Sequence, residues 1–137
     1  MLALLLTIAA APAELPVHPM PVAVEQSGEP SDEQICDSFN ALAAEVNKEL
    51  PKMTDAVTRT DGIAVVCALK LFTTSKYILL TSAEMKDGWQ ATKQAQFDKL
   101  NCVDQPRTRK LIDRGWVIEA IFSLRSGERV AMRAHCS

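Results

Sequence analysis

Four cysteines, at positions 36, 67, 102 and 136 of a 137-residue chain, limit its folds more than any other feature. A domain near the lower end of the usual size range buries a smaller share of its surface than a large one, so covalent cross-links weigh heavily in its stability. Four cysteines allow three pairings. The expected one joins sequence neighbours, Cys36 with Cys67 and Cys102 with Cys136, each closing a loop of a little over thirty residues. Chain entropy values such a closure at about 3 to 4 kcal/mol, comparable with the whole stability of a small domain. Zinc binding and thiol redox chemistry are the competing uses of cysteine. No C-x-x-C spacing occurs, and the separations lack the paired clusters of a zinc ribbon. Cys67 is the weakest member of the set, because a lone cysteine on a buried strand is also a plain small hydrophobe.

Disulfides require an oxidising compartment, and the amino terminus points to one. Met1 to Ala13 reads as a signal peptide: Leu2, Leu4, Leu5, Leu6 and Ile8 form an apolar core, and Ala11-Pro12-Ala13 places small residues at a cleavage site after Ala13. No Lys or Arg precedes the apolar run, so only the Met1 amino group supplies a positive end. The run meets Glu14 and Pro16 well before the roughly 20 apolar residues of a membrane span, and no cysteine lies beside the cleavage point to carry a lipid. A periplasmic or secreted product without a transmembrane segment in the mature chain is expected. Residues 14–31, with Pro16, Pro19, Pro21 and Pro30, read as a flexible tether, and residues 32–137 as one domain.

Within that domain Ser31-Asp32-Glu33-Gln34 has the spacing of a capping box, and Ile35, Phe39, Leu42, Val46 and Leu50 form one helical stripe that Pro51 stops. Gly62 to Phe72 is rich in β-formers with both faces largely apolar, which predicts a central strand; Tyr77 to Thr81, after a Thr73-Thr74-Ser75 turn, is its expected antiparallel partner. Asp87 to Gln90 repeats the capping-box spacing and opens a helix to Leu100 that turns Trp89, Phe97 and Leu100 inward. Pro106 to Arg114 is a shorter helix with Gly115 at its left-handed exit. The final segment predicts a hairpin with the three-residue loop Arg125-Ser126-Gly127, which sets Glu119 opposite Arg133 and Ser123 opposite Arg129 and keeps Ala120 and Phe122 on the apolar face. The expected class is α+β: a four-stranded antiparallel sheet in the order α-β-β-α-α-β-β, helices on one face, the other face wet or in contact with a partner.

Residues able to carry chemistry are few. His18 and His135 are the only histidines; a Ser-His-Asp hydrolase would have to use His135, and no G-x-S-x-G elbow presents a serine. No metal or cofactor is expected. The formal charge of −2 divides into −6 over 14–85 and +4 over 86–137, which folding can neutralise internally. Arg107, Arg109, Lys110, Arg114, Arg125, Arg129 and Arg133 form one notable basic collection. With a single tyrosine and no aromatic platform among these charges, nucleic acid is a poor ligand. An anionic partner surface fits them better, and the plainer alternative is that they are solvated helix and hairpin faces.

From about Asn40 onward the chain resembles small exported bacterial proteins of the secreted, quorum-sensing-regulated virulence-factor type. The resemblance rests on Asn47-Lys48-Glu49-Leu50-Pro51 with Asp55, then Cys102, Arg109, Leu111 and Gly115, and closes on Cys136. It implies an α+β domain and carries over no catalytic residue; the Cys36 and Cys67 pair is additional to the pattern, and the Cys102 loop is one residue longer. Secretin pilotins are similar in size and location, though many carry a lipid-attachment cysteine that this chain lacks. These features point to a non-enzymatic envelope interaction module, with a secreted inhibitor or effector, or an envelope hydrolase with an unrecognised site, as the alternatives.

Overall fold

The structure, a computed structural model, describes residues 28–137; the signal-peptide and most of the tether reading lie outside the described residues. Helix α1 (Asp32–Asn47) begins at the Ser31–Gln34 capping box, in which each side chain satisfies the other residue's backbone N–H. It buries Ile35, Cys36, Phe39 and Ala43, while Leu42 and Val46 of the expected stripe are half-buried. A short edge strand β1 (Lys52–Met53) follows, then β2 (Thr58–Val66) and β3 (Leu71–Ile78). Helices α2 (Trp89–Lys99) and α3 (Pro106–Asp113) are joined by a π-turn at Leu100–Asp104, and strands β4 (Val117–Leu124) and β5 (Arg129–Arg133) close the chain.

The expected α-β-β-α-α-β-β succession is present with one added edge strand, but the sheet is mixed and five-stranded, in the order β1-β2-β3-β4-β5. The expectation of two antiparallel hairpins fails at their junction: β3 and β4 run parallel through eight paired residues, from Leu71 with Val117 to Ile78 with Leu124. The chain between them crosses back over one face, as parallel neighbours require.

The first hairpin also turns earlier than expected. Cys67–Leu69 forms a 3-10 turn and Lys70 takes a left-handed conformation with φ of 51°, so Val65 pairs with Phe72 and Val66 with Leu71. Thr73, Thr74 and Ser75 lie inside β3, where the β-branched threonines are at home. Cys67 accordingly sits at an exposed turn instead of on a buried strand. Helix α2 starts at Gly88 without a side-chain cap, the capping box of this region being Thr81 with Glu84 instead, and Leu100 is exposed in the π-turn. The last hairpin follows the expected register: Leu124 N–H donates to Glu128 O, Gly127 is left-handed, and Glu119 and Ser123 face Arg133 and Arg129.

All three helices cover the same sheet face, over two adjoining apolar clusters. One joins Ile35, Cys36 and Phe39 of α1 to Leu111 of α3 and Trp116, with Val65 and Phe72 from the sheet; Phe39 meets Phe72 and Trp116 at centroid distances of 4.8 and 5.2 Å, within the range of favourable aromatic pairs. The other gathers Ile78, Ala120, Phe122, Leu124 and Met132 under Trp89 and Phe97 of α2. Cys36 pairs with Cys67 and Cys102 with Cys136, tying α1 to the β2–β3 turn and the π-turn to the C-terminal end.

A polar hub closes the first cluster. Asp32 Oδ1 accepts from Arg114 Nη2 at 3.0 Å and from Trp116 Nε1 at 3.3 Å, and its Oδ2 lies 3.0 Å from Lys70 Nζ. Lys70 comes from the β2–β3 turn and Arg114 and Trp116 from the α3–β4 junction, so one carboxylate ties two segments to the start of α1. The hydrogen bond from Lys70, then that from Trp116, hold the Asp32 carboxyl below the ordinary aspartate range. A depressed carboxyl stabilises the fold above its unfolded pKa and loses that contribution as pH falls through the folded value. The melting temperature is therefore expected to decline below about pH 4, and Asp32→Asn to make this acid limb shallower; calorimetry across pH 2 to 7 checks it. Cys102→Ser is expected to lower stability by about 3 to 4 kcal/mol in denaturant titration and to leave Cys136 open to alkylation, detected by mass spectrometry.

Candidate functional site

Alternation along a strand sends successive side chains to opposite faces. Because Val65, Phe72, Ala120, Phe122 and Met132 face the helices, their neighbours form the uncovered face, and the register arranges them in cross-strand rows. The first row is apolar: Val66, Leu71 and Val117 on three adjacent strands. Val66 is exposed, Leu71 and Val117 are half-buried, and Leu69 in the adjoining turn is 65% exposed. The second row runs Ala64, Thr73, Glu119, Arg133, and the third Gly62, Ser75, Ile121, Ala131. The fourth is polar, with Arg59, Tyr77, Ser123 and Arg129; the Arg59 guanidinium stacks 4.8 Å from the Tyr77 ring centroid, a cation–π contact.

The second row contains the one anomaly of this face. Glu119 is only 7% exposed although no helix covers it. Its Oε2 accepts from Arg133 Nε at 3.0 Å, and the Arg133 side chain remains largely exposed above it. Thr73, its cross-strand neighbour, has an enclosed hydroxyl with no hydrogen-bond partner among the described residues. A carboxylate so enclosed depends on its cation, since removing one member of such a pair strands the other charge in poor solvent.

The sequence-selected basic residues do not come together as one patch. Arg109 pairs with Asp113 and donates to Ser137 O, Arg114 with Asp32, Arg125 with Glu84, and Arg133 with Glu119. Arg107 and Lys110 lie exposed on α3, over the covered face, and Arg129 lies exposed at the far end of β5 on the uncovered one; these three have no ion-pair partner among the described residues. His135 is exposed, its backbone N–H donating to Asp98 and its Nδ1 lying 3.1 Å from Arg133 O. Gln94 Nε2 donates to that same Arg133 carbonyl at 2.8 Å. Helix α2 thereby occupies the lower part of the β5 edge, which limits strand addition there. Sequence reading missed the apolar row, because a strand drawn through Gly62–Phe72 puts Val66 and Leu71 on opposite faces and only the turn at 67–70 reunites them.

No family model matches the chain, and no curated protein does. Two solved structures share its fold. One is a protein of Pseudomonas aeruginosa classed as secreted, with a TM-score of 0.59 and 15% identity, the match covering 74% of this chain and 89% of that one. The other is the pilotin of the Vibrio vulnificus type 2 secretion system, with a TM-score of 0.56 and 10% identity over 75% of this chain and 89% of that one. The likeness is one of fold.

Arg133→Ala is expected to lower stability by about 1 to 3 kcal/mol, the cost of an unsatisfied buried acceptor. Adding Glu119→Gln should recover part of that loss, because a neutral amide tolerates the site better than an unpaired carboxylate; a double-mutant cycle in urea measures both.

Proposed function

We propose that this protein is a non-enzymatic interaction module that works outside the cytoplasm and seats another envelope or extracellular protein on its uncovered sheet face. The observation that carries this reading is the Val66–Leu71–Val117 row with exposed Leu69 beside it, an apolar strip on the side of the sheet that no helix covers. Burial of such a strip is favourable by roughly 25 cal/mol per Å² of apolar surface removed from water, and rigid strands present it without an ordering cost at the moment of binding. On the same face Arg133 and Arg59 are already matched by Glu119 and Asp61, so Arg129, exposed in the fourth row, is the cation left to favour an acidic residue in the partner beyond the apolar strip.

Two further observations support the setting. The paired disulfides suit an oxidising compartment, and no helix among the described residues is long and apolar enough to cross a membrane. A pilotin and a protein classed as secreted share the fold, so this architecture occurs in a secretion system. In this reading Met1 to Ala13 is removed on export and residues 14–31 tether the domain of residues 32–137.

A photo-cross-linking residue at Ala64, on the uncovered face, is expected to capture a specific protein in the native envelope, while the same residue at Lys86, on the helical side, captures none. Val66→Glu with Leu71→Glu should abolish the adduct and leave the melting temperature within a few degrees of the parent. Equal capture from both positions, or capture that survives the double substitution, would sink the proposal.

A further inference from the structure

On the opposite side of the sheet, the apolar pattern of the helix–sheet interface is broken twice at one place. Helix α2 turns Trp89, Lys93 and Phe97 inward along a single row, since residues four apart lie one above the other. Trp89 and Phe97 pack on the cluster of Ile78 and Phe122, and between them the Lys93 ammonium stands 5.7 Å from the centre of the Phe122 ring. Beside that ring, β3 sends Lys76 to the same covered face, in register between Thr60 of β2 and Phe122 of β4. Two lysines, one from the helix and one from the neighbouring strand, thus border Phe122 on the same face of the sheet.

Neither amine has a hydrogen bond or ion pair among the described residues, where the other partly buried cations, Arg109 and Arg114 among them, find carboxylates. The acid whose charge reaches them is Asp55, in the β1–β2 connection, and its Oδ1 is already engaged by the N–H groups of Val57 at 2.9 Å and Thr58 at 2.8 Å. Burial, and then the nearby Lys93, depress the Lys76 pKa, while Asp55 opposes them. Two ammoniums against one carboxylate leave one positive charge unmatched at this interface. A pair of apolar side chains would pack the same position without like-charge repulsion, and a local rule broken without internal compensation is the mark of a site kept for something else. The amine is not fully enclosed: among the described residues Thr73 Oγ1 is the one enclosed side-chain polar atom without a partner, so the half-buried Lys76 ammonium keeps some contact with solvent.

We propose that Lys76 and Lys93 form a carboxylate-binding site at the α2–sheet interface, in which a single carboxylate bridges the two ammoniums beside Phe122. One negative charge completes the local balance that Asp55 leaves short, and Trp89 and Phe122 provide apolar surface for the carbon chain that bears it. The carboxylate can belong to a small organic acid or to a glutamate of a polypeptide. The site lies on the covered side of the sheet and stands independently of the uncovered face.

The test is amine acylation of the full chain, followed residue by residue with mass spectrometry, in acetate, in an octaglutamate peptide, and in sodium chloride at equal ionic strength. Carboxylate at ten times its dissociation constant is expected to slow labelling of Lys76 and Lys93 about tenfold by occupancy, with Lys52 and Lys86 unaffected. Lys93→Met should remove the protection of Lys76, and Lys76→Met that of Lys93, with both variants folded and at least as thermostable as the parent in chloride. Protection by acetate alone assigns a small acid, and protection by octaglutamate at lower concentration assigns a polypeptide. Equal labelling in all three solutions, or protection of the remaining lysine in either variant, would overturn the site; if one methionine variant fails to fold, Lys93→Gln supplies the same reading.

Discussion

The parallel pairing of β3 with β4 is the constraint on which the rest of the structure depends. Parallel neighbours cannot be joined by a tight hairpin, so the chain from Leu79 to Trp116 must travel back along the sheet, and it does so carrying α2 and α3. Because that return runs over one face, and α1 packs there too, the helices accumulate on a single side. Ile78 and Leu124, the last residues of the parallel ladder and partners in it, are among the most enclosed side chains of the fold. The uncovered face is the direct consequence of this connection.

The ends of the crossover are then fastened. The Cys102–Cys136 bond ties its middle to the C-terminal end, and Cys36–Cys67 ties α1 to the turn that begins β3. Asp32 adds an electrostatic fastening by collecting Lys70, Arg114 and Trp116. A sheet held in this way is a rigid platform with two contrasting surfaces. Its outer side carries apolar residues where water would favour polar ones, and its helical side carries Lys76 and Lys93 where packing would favour apolar ones.

Much of the local structure was legible in the residues. The C-terminal hairpin could be read in full because a glycine at the loop and opposite charges at Glu119 and Arg133 leave only one register that keeps the apolar face intact. The first hairpin could not, because its turn is made by Lys70 in a left-handed conformation that no glycine signals, and the threonines that look like a turn are strand interior. The uncovered face was half legible: the sheet was expected to leave one side free, but which apolar residues lie on it depends on that unmarked turn. The basic residues illustrate the same limit, since Arg114 and Arg125 find their acids 82 and 41 positions away.

By itself the sequence determined the helical stripe of α1, the capping box at Ser31, the order of the main elements and the pairing of neighbouring cysteines, all features governed by periodicity, backbone preference or short loop closure. Only the tertiary structure decided that β3 and β4 run parallel, that Val66 joins Leu71 and Val117 in one row, and that Lys93 comes to stand over Phe122, the cross-strand neighbour of Lys76. These are contacts between residues far apart in the chain, and their free energy arises from packing and charge proximity that exist only once the crossover has brought the strands together.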